Sequence, residues 1–238
     1  MNRNTRRRMA SRSLMLLIVL AAAWQGQAQD AQTKYPTMAS PDRYMMERNA
    51  EIELARSAAP ESISHDAEVM VLGQHGYEVA VSGKNGFVCM VERSWSAGFD
   101  DPEFWNPKLR APICFNPPAA RFNIPLLNRK AGLVIAAQSK DQISKNIQSA
   151  FERKEVPPLE PGAMCYMLSK LGYLSDRDGR WHPHLMFFVP DSKPTDWGAG
   201  LPGSPVVGGF TDKVEPFTTY LVPVGKWSDG TPAQEDDH

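Results

Sequence analysis

The chain has 238 residues, 42% of them hydrophobic, and no internal repeat, so it can bury the core of one domain. It carries 26 basic and 27 acidic residues, with no basic cluster beyond the first residues. This composition argues against nucleic acid and against an anionic membrane surface as partners.

The N-terminus has the pattern of a signal peptide. Five arginines precede an apolar run from Leu14 to Ala23, and Gly26-Gln27-Ala28 supplies small residues at a cleavage site. Its removal leaves 21 basic residues against 27 acidic ones, a net charge of −6. We therefore expect a soluble exported protein, periplasmic or extracellular, with no membrane anchor after cleavage of the leader.

The predicted organisation has four parts. Residues 1–28 are the signal peptide, 29–39 a mobile lead-in, 40–226 a single globular domain and 227–238 an acidic, solvated tail. Export places the three cysteines in an oxidising compartment, where two are expected to pair. Cys89 and Cys114 each lie in a short strand-like run, which favours a Cys89–Cys114 bridge and leaves Cys165 as a free thiol.

The first half of the domain predicts one helix followed by strands. Ser40-Pro41-Asp42 is a helix start, and an apolar stripe at i, i+4, i+8 continues to about residue 57. Residues 68–72 predict a strand. The runs 77–82 and 87–91 flank Gly83-Lys84-Asn85-Gly86, and Asn-Gly is typical of a type I′ turn, so we expect a hairpin there with positive φ at both residues.

The segment 94–130 is rich in proline and aromatic residues. Its prolines predict irregular backbone apart from the short strand 111–115. Its rings either cover the sheet or form an aromatic platform for a small molecule, a glycan or a peptide. The candidate ligand-binding residues are Trp95, Phe104 and Trp105.

The second half predicts a buried strand at 132–137, a helix at 140–155 opened by the capping box Ser139-x-x-Gln142, and a last strand at 216–224. The apolar runs 164–168 and 185–189, separated by an Asp/Gly-rich turn, predict a hairpin, although 165–174 also fits a helix. Together these elements indicate a single α+β domain: a mainly antiparallel sheet of five to seven strands, two helices and the long irregular segment.

The chain has none of the usual catalytic or nucleotide-binding motifs, so no nucleotide cofactor is expected. His182 and His184 are spaced i, i+2 at a strand start, where both rings could contact one zinc ion, with His75 as a third ligand and Asp178 or Glu92 as the carboxylate. The alternative is that they are structural polar residues.

Cys165 and a histidine form the other candidate catalytic set. In a hairpin centred on residue 177, Cys165 lies opposite Val189 and away from His182; Cys165 is then a small buried apolar residue. If 165–174 is a helix, the helix dipole lowers the pKa of a thiol at its N-terminus. That order of cysteine, helix and histidine strand loosely resembles papain-like and cell-wall peptidases.

Two functional hypotheses follow. The first is a non-catalytic exported protein that binds a ligand or partner through the aromatic segment. The second is a hydrolase or metal-binding enzyme that uses His182 and His184, with or without Cys165.

Overall fold

The computed structural model describes residues 34–233 apart from 177, 178 and 180. The predicted signal peptide, residues 29–33 of the lead-in, the candidate ligand Asp178 and the last five residues of the tail lie outside the described residues.

The domain is α+β, as predicted, and its described residues form one eight-stranded sheet in the order β2-β1-β3-β4-β5-β6-β8-β7. All neighbouring strands are antiparallel except β1 and β3. The strand count is slightly higher than predicted. The strands are β1 (Glu68–Gly73), β2 (Gly76–Val81), β3 (Val88–Glu92), β4 (Ala111–Phe115), β5 (Met164–Met167), β6 (His184–Pro190), β7 (Val207–Thr211) and β8 (Phe217–Pro223).

The described residues form four α-helices: α1 (Arg48–Arg56), α2 (Glu61–Ser64), α3 (Pro117–Ile135) and α4 (Lys140–Glu152). The inner face packs with α3 and α4 in the larger core, which joins Met90 and Ile113 of the sheet to Phe122 and Ile147 of the helices. On the outer face, α1 packs on β1, β3 and β4 around a smaller core. In the described part of the chain, no helix is long and apolar enough to cross a membrane.

The predicted hairpin at Asn85-Gly86 is wrong. β1 lies between β2 and β3, pairing antiparallel with β2 and parallel with β3, so the connection at 82–87 passes the start of β1. Lys84 N donates to Asp66 O at 2.7 Å, and Gly86, but not Asn85, has positive φ. The tight turn is instead at Gly73–Gly76, between β1 and β2. All four central residues of β1 are buried, which fits an interior strand with a neighbour on each side.

The second half of the proline-rich segment is helical, contrary to the prediction. Pro117 and Pro118 occupy the first turn of α3, where a missing N–H costs nothing, and the Asn116 side chain accepts from Ala119 N at 3.0 Å. Pro125 lies inside the helix. The apolar run predicted as a strand at 132–137 is the end of this helix; periodicity alone did not separate the two.

The helix predicted at 140–155 is confirmed as α4, and both hydrogen bonds of the capping box are present: Gln142 N to Ser139 Oγ and Ser139 N to Gln142 Oε1. The helix predicted at 41–57 is instead a short 3₁₀ turn (Pro41–Tyr44) followed by α1, whose N-cap is Glu47 rather than Ser40.

Residues at both ends of the described chain contact the domain. In the lead-in, Tyr35 donates a hydrogen bond to Asp176 at 2.6 Å, which joins the start of the described chain to the loop before β6. In the tail, Trp227 is only 5% exposed and belongs to the larger core. Burial of the indole ring outweighs the polar composition of the surrounding residues.

The hairpin of β5 and β6 is confirmed, but its register is not the one predicted. Cys165 lies opposite Met186, and Met167 opposite His184, three residues away from the predicted alignment. The described residues of the connection contact the rest of the domain instead of forming a symmetrical turn: Tyr173 bridges to Arg110, and Ser228 N donates to Leu168 O at 2.9 Å. Trp181, within that connection, packs so closely on Gly172 that a Cβ there would lie 2.5 Å from the indole.

Candidate functional site

The candidate metal ligands do not converge. His75 lies in the exposed turn between β1 and β2, and β1 is four strand positions from β6, a separation of about 19 Å at normal strand spacing. No group of three or more His, Cys, Asp or Glu side chains among residues 34–233, leaving out 177, 178 and 180, is placed to hold a metal ion.

His184 is held by the backbone next to it. It is 7% exposed, and its Nδ1 lies 2.7 Å from the carbonyl oxygen of His182. Because a carbonyl can only accept, Nδ1 carries the proton and donates it. Burial lowers the pKa of His184, which favours the neutral ring. His182 precedes the strand and is half-buried. The geometry of His184 matches the structural role that was the alternative to zinc binding.

Cys165 lies on β5, on the inner face, where it is fully buried. Burial raises the pKa of its thiol well above the ordinary value, and the nearby Glu92 carboxyl raises it further. His184 is its diagonal neighbour across the β5–β6 pair, a Cα separation of about 7–8 Å. The helix that would have lowered the thiol pKa is absent from 164–167, which form β5. Cys165 therefore has the environment of a buried apolar residue.

The three aromatic residues chosen as a ligand platform are buried in the core instead. Trp95, Phe104 and Trp105 are 1%, 1% and 6% exposed. The edge of Trp95 packs on Tyr44, and Phe104 packs edge-to-face on Trp105, each at 4.7 Å between ring centroids. Trp105 also borders a surface cavity of about 520 Å³ beside the start of α4. As a group these rings cover the sheet, which was the other interpretation of the segment.

The Cys89–Cys114 bridge is confirmed. The two residues are direct partners across β3 and β4, with Cα atoms 4.0 Å apart, and Cys165 is free. Both half-cystines are fully buried in the smaller core on the outer face. The bridge therefore joins the strands on which α1 packs.

The outer face has a second, uncovered region on β5, β6 and β8. Strand pairing places Tyr166 beside Leu185 and Leu185 beside Val222, while Phe187 lies between Met164 and Tyr220. Successive strand residues alternate between faces, so all six side chains point to the same side of the sheet. We call these residues the open face: Met164, Tyr166, Leu185, Phe187, Tyr220 and Val222.

Burial distinguishes the open face from the core. Five of its six side chains are half-buried, and Tyr220 is fully buried. Leu185, Phe187 and Val222 belong to neither hydrophobic core. Where α1 packs on the neighbouring strands, by contrast, outer-face residues such as Val91 are fully buried.

A tryptophan borders the open face beside Phe187 and Tyr220. Trp197 lies in the 3₁₀ turn Pro194–Trp197 and stacks on Tyr220 with ring centroids 4.8 Å apart and planes inclined by 9°. Its ring is also 5.9 Å from that of Phe187. Ser192 lies 2.9 Å from the Tyr220 hydroxyl and is hydrogen-bonded to it. The resulting surface is apolar and aromatic and carries no charged side chain among its six residues.

Sequence reasoning missed this surface, although a signal was present. The run Leu185-Met186-Phe187-Phe188-Val189 is apolar on both faces, which predicted an interior strand covered on both sides. β6 is interior, between β5 and β8, and Phe188 is buried on the inner face. Its outer-face residues are covered only in part. The sequence did contain an indication of this surface: the outer face of β6 is apolar, and no amphipathic helix is predicted to cover it.

No family model, no curated protein and no solved structure matches this chain. The function has to be inferred from the geometry of the molecule itself.

Proposed function

We propose that this chain is an exported, non-catalytic binding protein that docks a protein partner on its open face. The observation that carries the proposal is the continuous set of uncharged side chains, five of the six only half-buried, that strand register brings together on β5, β6 and β8. Apolar surface of this kind is stabilised when a partner removes it from water.

The shape of the surface favours a protein over a small molecule. Small ligands bind in concave sites that enclose most of their surface. Two surface cavities, of about 390 Å³ beside the start of α3 and about 520 Å³ beside the start of α4, are lined by other residues. The open face is a stretch of sheet, and aromatic side chains such as Phe187 and Trp197 are the types that dominate protein interfaces.

Export is part of the same proposal. A buried cystine between β3 and β4 fits an oxidising compartment, and the leader at 1–28 predicts the route. Expression of the full chain and of a chain lacking residues 2–28, followed by cell fractionation, tests this. We expect only the full chain outside the cytoplasm, shortened at its N-terminus and with Cys89 oxidised. Equal distribution of the two chains would contradict export.

The hydrolase alternative has weaker support. The Cys165 thiol is buried with a raised pKa, and the His184 Nδ1 proton is donated to a backbone carbonyl. Neither group has the exposed, activated state that nucleophilic or acid–base catalysis needs.

The docking proposal is tested by photo-crosslinking at the open face. p-Benzoylphenylalanine replaces Phe187 in the exported protein, and the matched control replaces Val79, which is 48% exposed on β2 near the opposite edge of the sheet. After irradiation in the producing cells, we expect one discrete protein adduct at position 187 and none at 79.

A second substitution makes the test specific. Leu185→Asp places a charge beside position 187 and is expected to abolish the adduct while the protein stays exported and folded. An adduct of twice the chain's mass would identify a second copy as the partner. No adduct at 187, or the same adduct at 187 and 79, would refute docking on this face.

A further inference from the structure

A buried ion pair lies under two loops on the inner face. The Lys130 ammonium of α3 is paired with the Glu215 carboxylate, in the connection between β7 and β8. Lys130 is 1% exposed and Glu215 6% exposed, so the pair lies almost entirely out of water. Separating such a pair is costly unless another charge replaces the lost partner.

The same lysine contacts the second loop. Its Nζ lies 5.0 Å from the centre of the Phe99 ring, in the loop after β3. Phe99 N donates to Asp212 Oδ2 at 2.8 Å, which joins that loop directly to the β7–β8 connection. Lys130 therefore contacts both loops, through Phe99 of residues 98–101 and Glu215 of residues 212–215.

The Glu92 carboxyl group lies close enough to Lys130 and Glu215 for both of their charges to act on it. It is the last residue of β3, and it alternates with Val91 of the outer core, so it lies on the inner face. It is half-buried, and no described hydrogen bond or ion pair satisfies its carboxyl group. The other ionisable groups around it are Lys130 on α3, Glu215 in the β7–β8 connection, Tyr77 on β2 and Cys165 on β5.

Burial raises the pKa of Glu92 to about 7; the Lys130 charge opposes this rise and the Glu215 charge adds to it. The Tyr77 and Cys165 pKa values are both raised, mainly by burial, and neither group becomes charged near neutral pH. Burial also raises the pKa of Glu215, but Lys130 counteracts that rise by direct pairing. The charge of Lys130 thus acts on the carboxyl groups of both Glu92 and Glu215, and Lys130 forms its ion pair with Glu215.

We propose that Glu92, Lys130 and Glu215 form a pH-dependent latch, in which a neutral Glu92 leaves Lys130 paired with Glu215 and an ionised Glu92 draws Lys130 away and releases the 212–215 segment. The consequence is a β7–β8 connection that is closed at mildly acidic pH and opens at alkaline pH. Because the Phe99–Asp212 hydrogen bond joins the two loops, the 98–101 segment opens with it.

Hydrogen–deuterium exchange of the full chain at pH 5.5 and pH 8.5 tests the latch. After correction for the intrinsic pH dependence of exchange, we expect peptides covering 211–217 to exchange about fivefold faster or more at pH 8.5, while peptides from α4 do not change. In Glu92→Gln, which keeps the shape of the side chain and cannot ionise, slow exchange is expected at both pH values. Glu78→Gln, on exposed β2, is the matched control and should behave as wild type.

Lys130→Met provides the reverse variant, because it removes the cation and should give fast exchange in 211–217 at both pH values. Exchange in 211–217 that is independent of pH in the wild type would overturn the proposal. So would the same pH dependence in Glu92→Gln as in the wild type.

Discussion

The two halves of the sheet differ in how their outer faces are covered. On β1, β3 and β4 the outer face is covered by α1, and the cystine lies beneath that helix. On β5, β6 and β8 five of the six equivalent side chains are half-buried, and the turn that carries Trp197 borders them. Both halves share the inner core under α3 and α4.

This difference separates stability from binding within one sheet. In the covered half, nearly every outer-face side chain is removed from water by the protein itself, so its hydrophobic stabilisation is complete in the free chain. In the open half, part of that stabilisation is left unused until something covers the face. Substitutions in the two halves should therefore have unequal effects on the free energy of unfolding.

The largest effect is expected for Arg93 in the covered half. Its guanidinium is fully buried, donating to Glu51 Oε1 at 2.8 Å and to Tyr44 O at 2.7 Å. Arg93→Met leaves the Glu51 charge buried without its partner, which should lower the free energy of unfolding by about 3–5 kcal/mol in urea titrations. Arg48→Met removes the exposed pair with Glu78 and should cost less than about 1 kcal/mol. Equal losses would contradict the burial of Arg93.

Removal of the cystine comes next. The bridge joins residues 25 positions apart, so by the chain-entropy model Cys89→Ala/Cys114→Ala should lower the free energy of unfolding by about 3–4 kcal/mol. Reduction of the wild type should have a similar effect. Cys165→Ala, which removes no crosslink, is the control for loss of a buried sulfur. An unchanged denaturation midpoint in the double variant would show that the bridge does not stabilise this half.

Gly83→Ala tests how the covered half is connected. A Cβ at Gly83 would lie 2.2 Å from Glu68 N, because the β2–β3 connection passes directly against the start of β1. Such overpacking against backbone should cost about 2 kcal/mol in thermal or urea unfolding. At Gly225 a Cβ meets nothing within 4 Å, so Gly225→Ala is the matched control. A small effect at Gly83 would favour the simple hairpin that the Asn-Gly pair predicts.

That connection also shows what the sequence could not predict. Asn85-Gly86 is a strong local signal for a hairpin, but β1 is buried on both faces and takes the position between β2 and β3. Strand order depends on which apolar faces meet in space, and local turn residues do not encode it. By contrast, the capping box of α4 and the Cys89–Cys114 bridge were predictable, because each depends on residues whose chemistry permits few alternatives.

The site was predicted less well than the fold, for a related reason. Trp95 and His184 were chosen for their chemical types, but burial decides whether a ring contacts a ligand or the core, and burial is a property of the whole fold. The open face depends on the register of β5, β6 and β8, and the predicted register of β5 and β6 differs by three residues from the one in the structure. The apolar composition of residues 185–189 predicted the strand β6, but it did not predict which face of that strand stays partly exposed.

A pH dependence of stability is expected from Glu92 at the boundary of the inner core. Its pKa in the folded chain is about 7, against an ordinary value of 4.5, so the folded state binds more protons between these values. Stability therefore falls as pH rises from about 4.5 to 7. Because Glu92 is half-buried, we expect its contribution to be about 1–2 kcal/mol, smaller than the full shift would give. Urea titrations of Glu92→Gln should lack this fall; the same fall in the variant would assign it to another group.

The smallest effect is expected on the open face itself, from a matched pair of valines. Val91 and Val222 both point to the outer side of the sheet, but Val91 is fully buried beneath α1 and Val222 is half-buried beside Leu185. Val91→Ala leaves a cavity in a packed core and should cost about 2 kcal/mol. Val222→Ala removes methyl groups that water already contacts, so its cost should stay below about 1 kcal/mol.

If the open face docks a partner, the Val222→Ala cost should approach that of Val91→Ala once the partner is bound, because the side chain is then fully covered. Equal costs in the free protein would show that the outer face is already covered along its whole length.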